Sequence, residues 1–177
     1  MQRRAFSFKV KQLDNADPVG SFEGMLAVYG NVDLGGDAIV PGAFTRTLQN
    51  HGNQVPLLWQ HKPDDPIGTL QLSDTPTGLA AKGQLELDLP TARVAYTLLK
   101  AKVIKGLSIG YDTITDSIDD GVRYLKELRL WEGSLVTFPM NEQATVSAVK
   151  TISAEDDREI LAAIRRLTEK AHRIAEE

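Results

Sequence analysis

Apolar and polar residues alternate from Ala5 to Leu13 through Phe6, Phe8 and Val10, the period of two that marks a half-buried strand, and Ser21–Tyr29 repeats the pattern. Asn31–Pro41 is rich in Gly and Asp and predicts a loop. It leads into Gly42–Leu48, where Phe44 and Leu48 stand at helical i, i+4 spacing. Leu57-Leu58-Trp59-Gln60-His61 is a short apolar run that Pro63 and Pro66 are expected to stop, and Ile67–Leu72 and Leu79–Leu87 read as further strands. Thr91–Lys102 predicts the clearest internal helix, with Val94, Ala95, Leu98 and Leu99 on one face and Pro90 as its start signal. The strongest strand segments are Gly106–Ile114 and Val122–Phe138. Asp119-Asp120-Gly121 joins them, and its residues tolerate positive φ, so an antiparallel hairpin is expected. Ala144–Val149 predicts a last short strand.

After Thr151 the composition turns to charge. Ile160, Ile164, Leu167, Ala171 and Ile174 keep a 4-3-4-3 spacing that suits a helical seam, with Ser153 as N-cap and Glu155, Asp156 and Asp157 in its first turn. The expected organisation is a β-dominated α+β domain over residues 1–151 and a charged helical tail over 152–177. The tail packs either on its own domain or on another copy or partner.

The chain has 177 residues, the length of one domain, and 20 Lys+Arg against 24 Asp+Glu give a net charge of -4. That balance gives no support to nucleic-acid binding by phosphate neutralisation. There is no Cys, so disulfides, thiolate metal sites and a Cys nucleophile are excluded. No apolar run reaches membrane length, and Lys9 and Lys11 interrupt the segment after the basic Arg3-Arg4 start, so a cytosolic protein is expected.

Gly106-Leu107-Ser108-Ile109-Gly110 matches the Gly-x-Ser-x-Gly elbow of α/β-hydrolases, but the elbow needs a strand-to-helix turn, and here the strand continues. As a strand, the segment sets Gly106, Ser108 and Gly110 on one side and predicts empty space around Ser108, where another backbone could approach. On the next strand Glu132 shares a face with Leu128, Leu130, Val136 and Phe138, and a carboxylate there must be paired, protonated or at the lip of a cleft. A salt bridge to Arg or Lys is the plain alternative. His51 and His172 stand in polar surroundings, whereas His61 ends the Leu57–Trp59 strand in phase with Leu57 and Trp59. Ser108, His61 and Glu132 on three strand candidates permit an acyl-transfer triad of nucleophile, base and orienter, with Glu142 as the rival orienter. Asn31–Asp37 resembles a calcium loop, but its twelfth position is Gly42 where a Glu is needed, so a structural turn is expected. No phosphate-cradling Gly loop and no clustered metal site is evident, and the triad mechanism requires no cofactor.

These residues also carry a resemblance. Phe22-Glu23-Gly24, Tyr29-Gly30-Asn31-Val32-Asp33, Gly36-Asp37, Pro41-Gly42-Ala43-Phe44, Leu58-Trp59-Gln60-His61, Pro66-Ile67-Gly68, Gly106–Tyr111 and Leu130–Pro139 succeed one another as in the HK97-type prohead proteases of tailed phages. The chain resembles that family from about Gly20 to Lys150. The resemblance implies a β-barrel with peripheral helices, akin to herpesvirus assembly proteases. It also implies a serine endopeptidase, working in the host cytoplasm inside the immature capsid, that trims scaffold segments of the major capsid protein and cleaves itself. By it, Ser108 matches the nucleophile and His61 the base, while Glu132 stands where the herpesvirus enzymes place a second His. Those relatives also use Arg residues for the oxyanion; Pro139–Gln143 holds none, which leaves backbone amides. An extended substrate would be held by strand addition beside Gly106 and Gly110. Rival readings are a non-catalytic capsid scaffold protein and a small serine esterase.

Overall fold

A computed structural model describes residues 17–151 together with Arg158, Leu161, Ala162, Arg165 and Arg166, these five helical and exposed. The strand expected over Ala5–Leu13 and the seam positions of the tail lie outside the described residues. The elements, in chain order, are β1 (Ser21–Val28), β2 (Asp37–Ile39), α1 (Thr45–His51), β3 (Gln54–Trp59), β4 (Lys62–Thr75), β5 (Gly78–Leu85), α2 (Pro90–Lys100), β6 (Gly106–Asp119), β7 (Val122–Val136) and β8 (Val146–Val149).

The strands form one sheet in the order β2-β7-β3-β4-β5-β1-β8, with β6 antiparallel to β7. The sheet curls. Residues 144–146 lie between β1 and the start of β6, through Met25 N–H to Thr145 O (3.0 Å), Leu107 N–H to Ala144 O (2.9 Å) and Val146 N–H to Lys105 O (2.8 Å). These bonds tie only the start of β6, so the strand-dominated sheet is a curled half-barrel, in keeping with the β-dominated expectation. Its core gathers Phe22, Leu26, Leu57, Leu70, Leu107, Leu125 and Leu135, from strands whose alternation turns one face of each inward.

Three details differ from expectation. Pro63 and Pro66 do not stop a strand, because β4 runs through both. The ladder between β4 and β5 begins only at Gly68, and the β3 pairing shifts register around Leu58. The prolines therefore sit where β4 has an open side and a missing N–H costs no ladder bond. The buried face of α2 is Ala92, Ala95, Tyr96 and Leu99, while Val94 is 54% exposed. The amphipathic Tyr96 decides this rotation, since its hydroxyl donates to the Lys150 carbonyl (3.0 Å) inside the fold. Phe138 lies beyond the end of β7 and is 88% exposed, so it does not share the face of Glu132.

The expected loop Asn31–Pro41 contains β2, which pairs parallel with β7 at Arg123–Leu125. Asp33 Oδ1 accepts from Gly35 N–H (2.8 Å) and Asp37 N–H (3.0 Å), making the segment a structural turn. Arg123 grips the Asp37 carboxylate at 2.8 and 2.5 Å. The guanidinium holds that carboxyl below its ordinary range against the opposing effect of burial.

Candidate active site

The β3–β4 connection is a two-residue turn in which Gln60 (φ 54°) and His61 (φ 58°) are both left-handed. Such turns match strand twist and favour Asn-Gly; a side chain with a Cβ in that conformation costs about 1–2 kcal/mol. The strand ends at Trp59, so the turn sets the direction of His61, and the expected phase with Leu57 and Trp59 does not. The end of β7 holds the strained turn in place. Gln60 N–H donates to Leu135 O (3.0 Å), the Gln60 amide exchanges hydrogen bonds with Thr137 Oγ1 (2.9 Å) and Thr137 N–H (3.2 Å), and His61 N–H donates to Ser134 Oγ (3.1 Å). Strain of this kind, over-determined by its surroundings, is a mark of functional sites.

Glu132 is the carboxylate that the sequence left without a partner. It is 8% exposed. Its Oε1 lies 2.6 Å from His61 Nδ1, and its Oε2 accepts from Ser134 Oγ at 2.8 Å. No Arg or Lys pairs with it among the described residues. With Nδ1 turned to the carboxylate, Nε2 is the ring nitrogen left free, on a side chain that is 41% exposed. A bulge lies beside this pair. The register passes from Gly110↔Glu132 to Tyr111↔Leu130, leaving Trp131 as the extra residue of β7.

Ser108 lies on β6 directly opposite Ser134, with Gly110 opposite Glu132, so the four positions share one face of the hairpin. Ser108 is half-buried and makes no hydrogen bond to His61 in this structure. It also borders a cavity of about 120 Å³ with Leu26, Asp37, Ile109, Tyr111 and Asn141. The space expected beside it is not empty. A Cβ on Gly110 would collide with Glu132 Oε1 and stand 2.9 Å from its Cγ, and one on Gly106 would meet Val136 O at 2.7 Å and the Pro139 ring at 2.8 Å. The two glycines make room for the protein's own groups, Gly110 for the carboxylate in particular. Glu142 is exposed and takes no part in this cluster.

Sequence reasoning passed over Ser134, Gln60 and Thr137. Ser134 left a signal, as a hydroxyl two residues from a lone carboxylate on the same buried face.

The model of a family described as caudovirus prohead serine protease matches residues 6–158. The chain belongs to that family. It is 34% identical over 138 residues to the prohead protease of Enterobacteria phage HK97, covering 75% of this chain and 61% of the relative. It is 26% identical over 156 residues to the prohead protease of Escherichia phage T5, covering 83% and 72%. A capsid polyprotein of Pseudomonas phage PAJU2 matches over 113 residues at 34% identity, covering 57% of this chain and 16% of that protein. Among solved structures, a KSHV protease bound to a hexapeptide phosphonate inhibitor (TM-score 0.49) and the varicella-zoster virus protease (TM-score 0.48) are each 13% identical, covering 82% of this chain and 76% of theirs.

Proposed function

We propose that this family member is a serine endopeptidase of capsid maturation, with Ser108 as nucleophile, His61 as general base and Glu132 as the group that orients the imidazole. Ser108 Oγ attacks the scissile carbonyl while His61 Nε2 takes its proton and later delivers it to the leaving amine, and water repeats the sequence to release the acyl-enzyme. Glu132 fixes the tautomer and stabilises the imidazolium as it forms. The observation that carries the reading is the 2.6 Å contact of His61 Nδ1 with Glu132, which reserves Nε2 for a proton transfer in a site facing Ser108's strand. Ser134, the other hydroxyl on that face, is fully buried and already bonded on both sides, so it cannot serve as the nucleophile. The open Ser108–His61 geometry is the usual one for an enzyme without substrate, in which catalytic hydrogen bonds tighten on binding.

The substrate in this reading is the capsid precursor, as the family description and the capsid polyprotein relative suggest, and self-cleavage uses the same chemistry inside the prohead. Among the described residues β6 has β7 on one side, and beyond Leu107 no strand lies on the other. A substrate segment would lie along that open edge as an added strand.

The test is co-expression with the cognate major capsid protein, with labelling of the purified enzyme by a serine-directed phosphonate. A shortened capsid product and a label on Ser108 are expected. A label elsewhere, or capsid protein left whole by a folded enzyme, would refute the assignment, and label without capsid cleavage would favour a small esterase.

A further inference from the structure

Ser134 occupies a place that packing alone does not explain. It is fully buried on β7, between the strand that leads to His61 (Leu58↔Ser134) and the strand that carries Ser108 (Ser108↔Ser134). A hydroxyl in such a position costs desolvation unless it is bonded, and an alanine would fill nearly the same volume without that cost. Here the hydroxyl is used in both directions. Its proton goes to Glu132 Oε2 at 2.8 Å, and a lone pair receives the His61 backbone N–H at 3.1 Å.

We infer that Ser134 is a positioning residue of the proposed active site, holding the Glu132 carboxylate and the His61 turn in one fixed geometry. The inference rests on the assignment of His61 and Glu132 as base and orienter. The terminal torsion of a glutamate is broad, so a carboxylate held through one oxygen can swing. Ser134 holds Oε2, which leaves Oε1 aimed at Nδ1 at 2.6 Å. The same hydroxyl secures the backbone of His61 in its left-handed conformation, so one atom fixes the orienter and the residue it orients. A side chain acting through two others in this way affects turnover more than substrate binding, because the edge of β6 that would bind substrate is untouched.

The experiment measures the rate of Ser108 labelling by a serine-directed phosphonate, kcat and KM on a capsid-derived peptide, and the low-field proton resonance of an imidazole Nδ1–H bound to a carboxylate. Full-length wild type, Ser134→Ala and Ser134→Thr are compared, with circular dichroism to establish folding. Ser134→Ala should label about 10- to 100-fold more slowly, with KM unchanged and the resonance lost or broadened, as for a misplacement of up to about 1 Å. Ser134→Thr, which keeps the hydroxyl, should recover most of the rate. If Ser134→Ala does not fold, Ser134→Cys keeps the volume with a weak donor and should show the same slow labelling. A folded Ala or Cys variant with wild-type rate and resonance overturns the inference while leaving the triad standing. Absence of Ser108 labelling in wild type overturns the triad reading itself, and the inference with it.

Discussion

Replacing Gly110 by alanine tests the geometry of the site without touching any reacting group. The added Cβ would stand 2.9 Å from Glu132 Cγ and 3.0 Å from its Cδ, and closer still to Oε1. Ordinary carbon contacts lie near 3.5–4.0 Å, so the carboxylate must move by about 1 Å. The backbone of β6 is held against β7 along its length, so the side chain gives way. It cannot move that far and keep both the 2.6 Å bond to His61 and the 2.8 Å bond from Ser134. A misplacement of about 1 Å costs on the order of 10²-fold in rate, or about 2.7 kcal/mol of barrier. Weakening hydrogen bonds to a charged group costs a further ~1–3 kcal/mol of stability, a melting shift of several degrees for a domain of this size.

The assay is single-turnover peptide cleavage and thermal melting of Gly110→Ala, Glu132→Ala and the double variant. In the Glu132→Ala background the space that Gly110 provides is no longer needed. The second substitution should then add almost nothing to the loss of rate or of melting temperature, a large non-additivity of the kind expected for residues in contact. Additive losses would mean that Gly110 serves something else, such as a close-lying substrate backbone, and the assignment of that glycine to the carboxylate would fail.

If the proposed function holds, Ser108→Ala should abolish cleavage of the capsid precursor and any self-cleavage while leaving stability within about 0.5 kcal/mol of wild type, since a half-buried hydroxyl without a hydrogen bond to His61 is all that is lost; retained cleavage by the purified variant would refute the nucleophile. Under the proposed triad, Glu132→Gln should lower single-turnover cleavage by up to about 10⁴-fold, the size of the loss when the charge that holds the imidazole of a Ser-His-Asp triad is removed, whereas Glu142→Gln should be near neutral because that side chain is exposed; the reverse order would move the role to Glu142. The Asp37–Arg123 pair predicts a pH dependence of stability. Asp37 has a depressed carboxyl, so its contribution is complete above the unfolded value of about 3.9 and is lost as pH falls through the lower folded value. The gap in melting temperature between wild type and Asp37→Asn should therefore be constant from pH 7 to about 5 and close in stronger acid; a gap that widens there would refute the pairing as its source.

Much of this architecture was legible because strand period and turn chemistry are local. The β6–β7 hairpin needs only alternating apolar residues around Asp120-Gly121, and both turn residues do adopt positive φ, at 47° and 77°. What escaped depends on partners distant in the chain. Nothing near Pro63 or Pro66 shows that β4 is open on one side there, and nothing near Val94 shows that Tyr96 reaches Lys150. The site divides in the same way. Glu132 was conspicuous as a charge on an apolar face, because burial makes pairing compulsory, and the place of His61 at the end of an apolar strand made it a reasonable partner. The means of bringing them together was not visible, since a Gln-His pair is a poor two-residue turn by its own propensities. It forms because Leu135, Thr137 and Ser134 take up its amides and side chain. The glycines illustrate the converse error. Gly-x-Ser-x-Gly suggests room around the serine, yet the room beside Gly110 is taken by a side chain 22 positions later, across the hairpin. A small residue on a strand therefore points first to what the neighbouring strand places opposite it, and register must be known before such a gap is assigned to a ligand.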